Sequence, residues 1–113
     1  MANQDKVLSM LGLAARARGV ADGGFSVEKA IKSGKAALVI LAGDASDNSR
    51  KEFVNMCSYY RTPIYQYSNK EELGHSIGKE LRSVVAVLDV GIAKAIKERL
   101  KEMEQTEAVE WQK

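Results

Sequence analysis

GGFSVEKAIKSGKAALVILAGDAS, residues 23–46, reads as a glycine pair, a short helix, a tight turn, a strand and a second turn. Its segment ALVILA, residues 37–42, is apolar at every position. An apolar run without alternation predicts a strand buried on both faces, inside a sheet covered by helices. Just before it, Val27, Ala30 and Ile31 fall on one face of a helix, and Ser26, Lys29 and Lys32 fall on the other. Gly23 and Gly24 let backbone approach a ligand closely, and the helix that follows opens with unpaired N–H groups. A helix N-terminus carrying a hydroxyl and a lysine stripe suits phosphate or an electronegative base edge.

Upstream, Val7, Leu8, Leu11, Ala14 and Ala15 recur at helical spacing and predict a helix over residues 4–18, with Asn3 as its cap and Gly19 as its stop. Downstream, Ser46 or Asp47 can cap a helix over 49–60, whose Phe53, Met56, Cys57 and Tyr60 point inward. Pro63 opens a short strand over 64–67, a position where proline is tolerated. Ser68-Asn69-Lys70-Glu71 matches a capping box and starts a helix with Leu73 and Ile77 inward, ended by Gly78. The loop GKELRS, residues 78–83, precedes a strand over 84–88. Asp89 caps a final helix striped by Ile92, Ile96, Leu100 and Met103. This alternation of helix and strand predicts an α/β fold, an α/β/α sandwich around a small sheet. One domain is expected over residues 1–103, followed by a frayed acidic tail over 104–113.

The formal net charge of +2 is unevenly spread. Residues 1–101 hold 16 basic and 11 acidic residues, a net of +5, and the acids of the tail offset them. A basic body suits a polyanionic partner. The lone His75 has no nucleophile motif near it, and one histidine with one cysteine cannot build a zinc-type ligand cluster. Gly34-Lys35 follows a helix and so marks a helix stop, not a phosphate loop. Asp44 lies just past the end of a central strand, where a turn aspartate bonding to backbone is the simpler reading. These residues predict no catalytic centre, no metal and no cofactor. With a single cysteine, no signal peptide and no long apolar run, a cytoplasmic, monomeric protein is expected. The second loop combines Lys79 and Arg82 with Leu81; cations attract phosphate and an aliphatic side chain packs on an unpaired base, a mixture that suits irregular RNA.

The segments LGLAARAR (11–18), KAIKSGKAALVILAGDAS (29–46), CSYYRTPIYQY (57–67) and KEELGHSIGK (70–79) resemble, in order, the kink-turn RNA-binding ribosomal proteins of the archaeal seven-Ae and thirty-e type. Within that family they are similar to the small bacterial YlxQ-like branch. The resemblance implies a three-layer α/β/α sandwich with a four-stranded mixed sheet, RNA as partner, no catalysis and no cofactor. It also implies an RNA surface built from the start of the second helix and the loop before the last long strand. Gly23 and Lys29 match the family's Gly-x-Asn-Glu-x-x-Lys motif, and Leu81 falls where the family has an aliphatic residue that lies on an extruded base. Phe25 and Ser26 stand where the family has the Asn-Glu pair. The expected RNA-binding residues are Gly23, Gly24, Phe25, Ser26, Lys29, Lys32, Leu81 and Arg82. The competing expectation is a protein-interaction module that keeps the fold and has lost kink-turn recognition.

Overall fold

The computed structural model describes residues 5–103 and 108–109. Five helices occur, α1 (Lys6–Arg16), α2 (Gly24–Lys32), α3 (Asp47–Tyr60), α4 (Lys70–Ser76) and α5 (Val90–Glu102). The strands are β1 (Val20–Asp22), β2 (Leu38–Leu41), β3 (Ile64–Gln66), β4 (Val84–Val87) and the two-residue β5 (Ala108–Val109). They form one sheet in the order β1-β4-β2-β3-β5. β2 and β3 run parallel, and the other three pairings are antiparallel. The first four strands make the expected mixed sheet. β5 extends it on the β3 edge, with Val109 opposite Ile64, in a stretch read from the sequence as frayed tail.

β2 divides the core. Leu38 and Ile40 face a layer made by α1, α4 and α5, where they meet Leu11, Leu73, Ile96 and Leu100. Val39 and Leu41 face α2 and α3, where they meet Val27, Ile31, Phe53 and Cys57. All four β2 residues are buried, as the unbroken apolar run requires. Emptying one of these positions, Ile40→Ala for instance, costs about 2–5 kcal/mol. α5 buries Ala93, Ile96 and Leu100, while Ile92 and Met103 pack at its margin. Of the inward set expected on α3, Phe53 and Cys57 are buried, but Tyr60 is 40% exposed and meets Tyr59 edge to face at 4.9 Å.

The caps differ in detail from the sequence reading. α1 is capped by Asp5, whose carboxylate accepts from the Leu8 N–H at 3.0 Å; Asn3 lies outside the described residues. α1 ends before Gly19, because Arg18 takes the left-handed conformation at φ 61°. The Arg18 and Gly19 N–H groups then bond back to the Ala15 and Ala14 carbonyls, closing the last turn. α3 is capped by Ser46, which accepts from Ser49 N–H, so the helix starts at Asp47. The cap of α4 is Asn69, one residue later than the capping-box reading. Asn69 accepts from the Glu72 N–H at 2.8 Å, and the Ser68 hydroxyl donates to the Glu72 carboxylate. Asp89 caps α5 as expected, through the Ile92 N–H.

Two close approaches depend on glycine. A Cβ on Gly12 would lie 2.9 Å from the Ser76 carbonyl oxygen, where α1 crosses the end of α4. A Cβ on Gly74 would overlap the Glu80 carbonyl and sit 3.3 Å from the Arg82 amide nitrogen. The loop 78–83 therefore lies directly on α4, and Gly74 is what lets it lie there. Gly74→Ala is expected to cost at least about 2 kcal/mol, because backbone is what must give way. Urea unfolding reads that cost, and amide resonances of residues 79–82 should shift with it.

Burial pushes the Cys57 thiol up from 9.0 to about 12. The unfolded thiol ionises near pH 9 while the folded one stays neutral, so stability falls as pH rises from 9 towards 12. Between pH 8 and about pH 10.5 the wild-type chain should lose about 2 kcal/mol more than Cys57→Ala, measured by urea unfolding at each pH. Equal losses would show that the thiol ionises freely in the folded state.

Candidate nucleic-acid interface

The two stretches selected from the sequence meet at one end of the sheet. β1 pairs antiparallel to β4 with Asp22 opposite Val85, which brings the next residue, Gly23, to the start of β4. The Gly23 N–H donates to the Val84 carbonyl at 3.2 Å. Gly23 then takes φ 87°, ψ 156°, a conformation open almost solely to glycine, and α2 begins. Its carbonyl accepts the Val27 N–H at 3.0 Å, the first turn of that helix. No side chain caps α2, so its leading N–H groups remain available.

The loop 78–83 is tied to the same corner from several sides. Arg82 Nε donates to Asp22 Oδ2 at 2.6 Å, a half-buried ion pair across 60 residues of sequence. Arg82 Nη1 bonds the Leu81 carbonyl at 2.8 Å, and the Arg82 N–H bonds the Lys70 carbonyl at 3.0 Å. The neighbouring turn is locked to it. The Ala42 N–H bonds the Ser83 carbonyl, and the Gly43 N–H bonds the Ser68 carbonyl, both at 2.8 Å. Asp44 accepts the Lys70 N–H at 2.9 Å, the backbone-bonding role expected of a turn aspartate, here joining two turns. Arg50 reaches the Gln66 side chain and the Gly43 and Ala45 carbonyls behind them.

On this platform the expected contact residues stand as follows. Gly24, Phe25, Ser26 and Lys29 are exposed, and Phe25 is 81% exposed although it is a large apolar side chain. Leu81, at 60%, is a second exposed apolar group, presented by the neighbouring loop. Val27, Ala30 and Ile31 are buried beneath, which confirms the division of the two faces of α2. Lys32 pairs with Glu28 at 2.7 Å, one turn back, and that hydrogen bond raises its pKa. Arg82 is held by Asp22, so its first task is to fix the loop. Lys29 is exposed and in no ion pair among the described residues.

Two contributors escaped sequence reasoning. Asp22 is an isolated acid in the sequence, and nothing local announces a partner 60 residues away. Gly74 offered a signal: a glycine inside a seven-residue helix is a cost that calls for a packing reason. His75 is exposed in the last turn of that helix. Among the described residues, no group of three His, Cys, Asp or Glu side chains could hold a metal ion, and no helix is long and apolar enough to cross a membrane.

The model of the ribosomal protein L7Ae/L30e/S12e/Gadd45 family matches residues 5–97. The RNA-binding protein YlxQ of Bacillus subtilis (strain 168) is 48% identical over 84 residues, covering 74% of this chain and 84% of that protein. A solved structure of a protein with unknown function from Bacillus halodurans superposes with a TM-score of 0.81 at 39% identity, covering 84% of this chain and 96% of that one. The Giardia lamblia 15.5kD RNA binding protein shares the fold, with a TM-score of 0.73 at 18% identity over 89% of this chain and 92% of its own. With the family model running from the cap of α1 into α5, this chain belongs to the ribosomal protein L7Ae/L30e/S12e/Gadd45 family and is YlxQ-like within it.

Proposed function

We propose that this chain is a non-enzymatic, ribosomal-protein-like RNA-binding protein of the cytoplasm that grips structured, kink-turn-like RNA. The observation that carries the reading is the juxtaposition of the uncapped start of α2 with the loop 78–83, through the Gly23–Val84 hydrogen bond and the Asp22–Arg82 ion pair. The RNA-binding relative YlxQ and the ribosomal family supply the partner class.

Each residue has a task that its chemistry suits. Gly23 and Gly24 let a phosphate or base edge reach the first N–H groups of α2. Lys29 supplies a cation that is in no ion pair among the described residues. Lys32 can leave Glu28 for a phosphate, because an exposed ion pair holds it only weakly. Ser26 both donates and accepts a hydrogen bond, so it can meet a base edge. Phe25 and Leu81 are exposed apolar groups at this corner on which unstacked bases can lie. Arg82 presents the loop and adds positive charge to it. An unpaired base needs such a surface and a regular duplex does not, which favours kinked RNA over a plain helix.

A titration against a kink-turn RNA and a plain duplex of equal length, at two salt concentrations, tests this. The kinked RNA should bind more tightly, with affinity falling steeply as salt rises. Lys29→Ala should weaken binding several-fold and lower the slope of log affinity against log salt by about one. Phe25→Ala should cost about 1–3 kcal/mol of affinity at little cost to the fold, the worth of one stacked base. Equal affinity for both RNAs would contradict kink-turn recognition, and Lys29→Ala without effect would remove α2 from the interface.

A further inference from the structure

A second cationic surface lies at the far end of β4. The α2 corner adjoins Val84, the first residue of that strand; at its last residue, the Val87 carbonyl accepts the Ala37 N–H at 2.8 Å. α5 begins three residues later. Ala37 and the outer side of α5 enclose an open groove of about 380 Å³. Ala37, Ala93 and Val90 supply its apolar surface, while Lys94, Lys97, Lys101 and Glu98 supply its charges.

The fold explains Lys101, which stands in the last turn of α5 where the helix dipole favours a cation, but not Lys94 and Lys97. At i, i+3 and i+7 the three lysines follow one face of α5 for about 10 Å. Like charges one turn apart repel and weaken a helix. Neither Lys94 nor Lys97 has an ion-pair partner among the described residues. Val90 is 73% exposed although aliphatic, so the groove repeats the pairing of cations with an exposed aliphatic group that Leu81 makes at the other end of the strand.

We propose that this groove holds the phosphodiester backbone of a second RNA segment, so that the chain clamps two segments of RNA, one at each end of β4. The proposal rests on the RNA-binding reading above. Lys94 and Lys97 against Glu98 leave the groove cationic, and the apolar surface of Val90 and Ala37 suits the sugar and base edges beside the phosphates.

The test uses the full chain, a short kink-turn hairpin and a fluorescent oligouridine. Protein saturated with the hairpin should still bind the oligouridine, forming a ternary complex. Lys94→Glu/Lys97→Glu should lower oligouridine affinity by about ten-fold or more and reduce its salt slope by roughly 1–2, the signature of lost phosphate contacts. The same double variant should bind the hairpin within about two-fold of wild type, since additivity holds for distant sites. Displacement of the oligouridine by the hairpin, or unchanged oligouridine binding by the double variant, would overturn the groove. So would polyglutamate binding there in preference to the oligouridine. Should the hairpin fail to bind at all, the kink-turn reading falls. The oligouridine arm, run without the hairpin, still decides the groove by its dependence on Lys94 and Lys97.

Discussion

The antiparallel pairing of β1 with β4 is the constraint on which the candidate site depends. β1 is only three residues long, and its register sets Asp22 opposite Val85. A slip of one residue would move Gly23 away from the Val84 carbonyl, turn α2 off its packing face and separate Asp22 from Arg82. Three residues of ladder hold this register because β4 is itself fixed. It lies between β1 and β2 with all four residues buried, and β2 in turn is packed on both faces. Core packing thus reaches the surface through one strand, and the surface loop inherits the order of the core.

The layers show what the packing permits. Both sides of β2 are packed with mainly apolar side chains, Tyr65 on one side and Phe53 and Cys57 on the other among them. Polar function is left to the ends of the sheet, where turns converge and backbone groups bond one another. At one end the Asp44–Lys70, Gly43–Ser68 and Ala42–Ser83 bonds tie three turns together. α2, at the same end, has no side-chain cap. Asp5, Ser46, Asn69 and Asp89 cap the other helices. The contrast is local and physical: the helix start with an exposed lysine and an exposed phenylalanine beside it is the one without a side-chain cap.

Much of this was legible in the sequence because it rests on periodicity. The unbroken run over residues 37–42 announced a doubly covered strand, and the two faces of α2 divided as its spacing required. The Asp89 cap was legible for the same reason, since it acts three residues along the chain. Caps with rival polar neighbours were read a residue off, as with Ser68 and Asn69, because each side chain offers the same chemistry and only geometry chooses. Tyr60 follows the inward spacing of α3 yet is exposed beside Tyr59. β5 is two residues in an acidic segment and carries no periodic signal. The Asp22–Arg82 pair and the crossing at Gly74 lie in tertiary structure, where spacing in sequence has no bearing.

The central claim is that α2 and the loop 78–83 act as one surface. Backbone amide shifts recorded during titration with a kink-turn hairpin test it most directly. The account predicts that residues 23–29 and 79–82 shift together, with one common dissociation constant. Shifts in only one of the two stretches, or a footprint on α3 that leaves both unchanged, would contradict it.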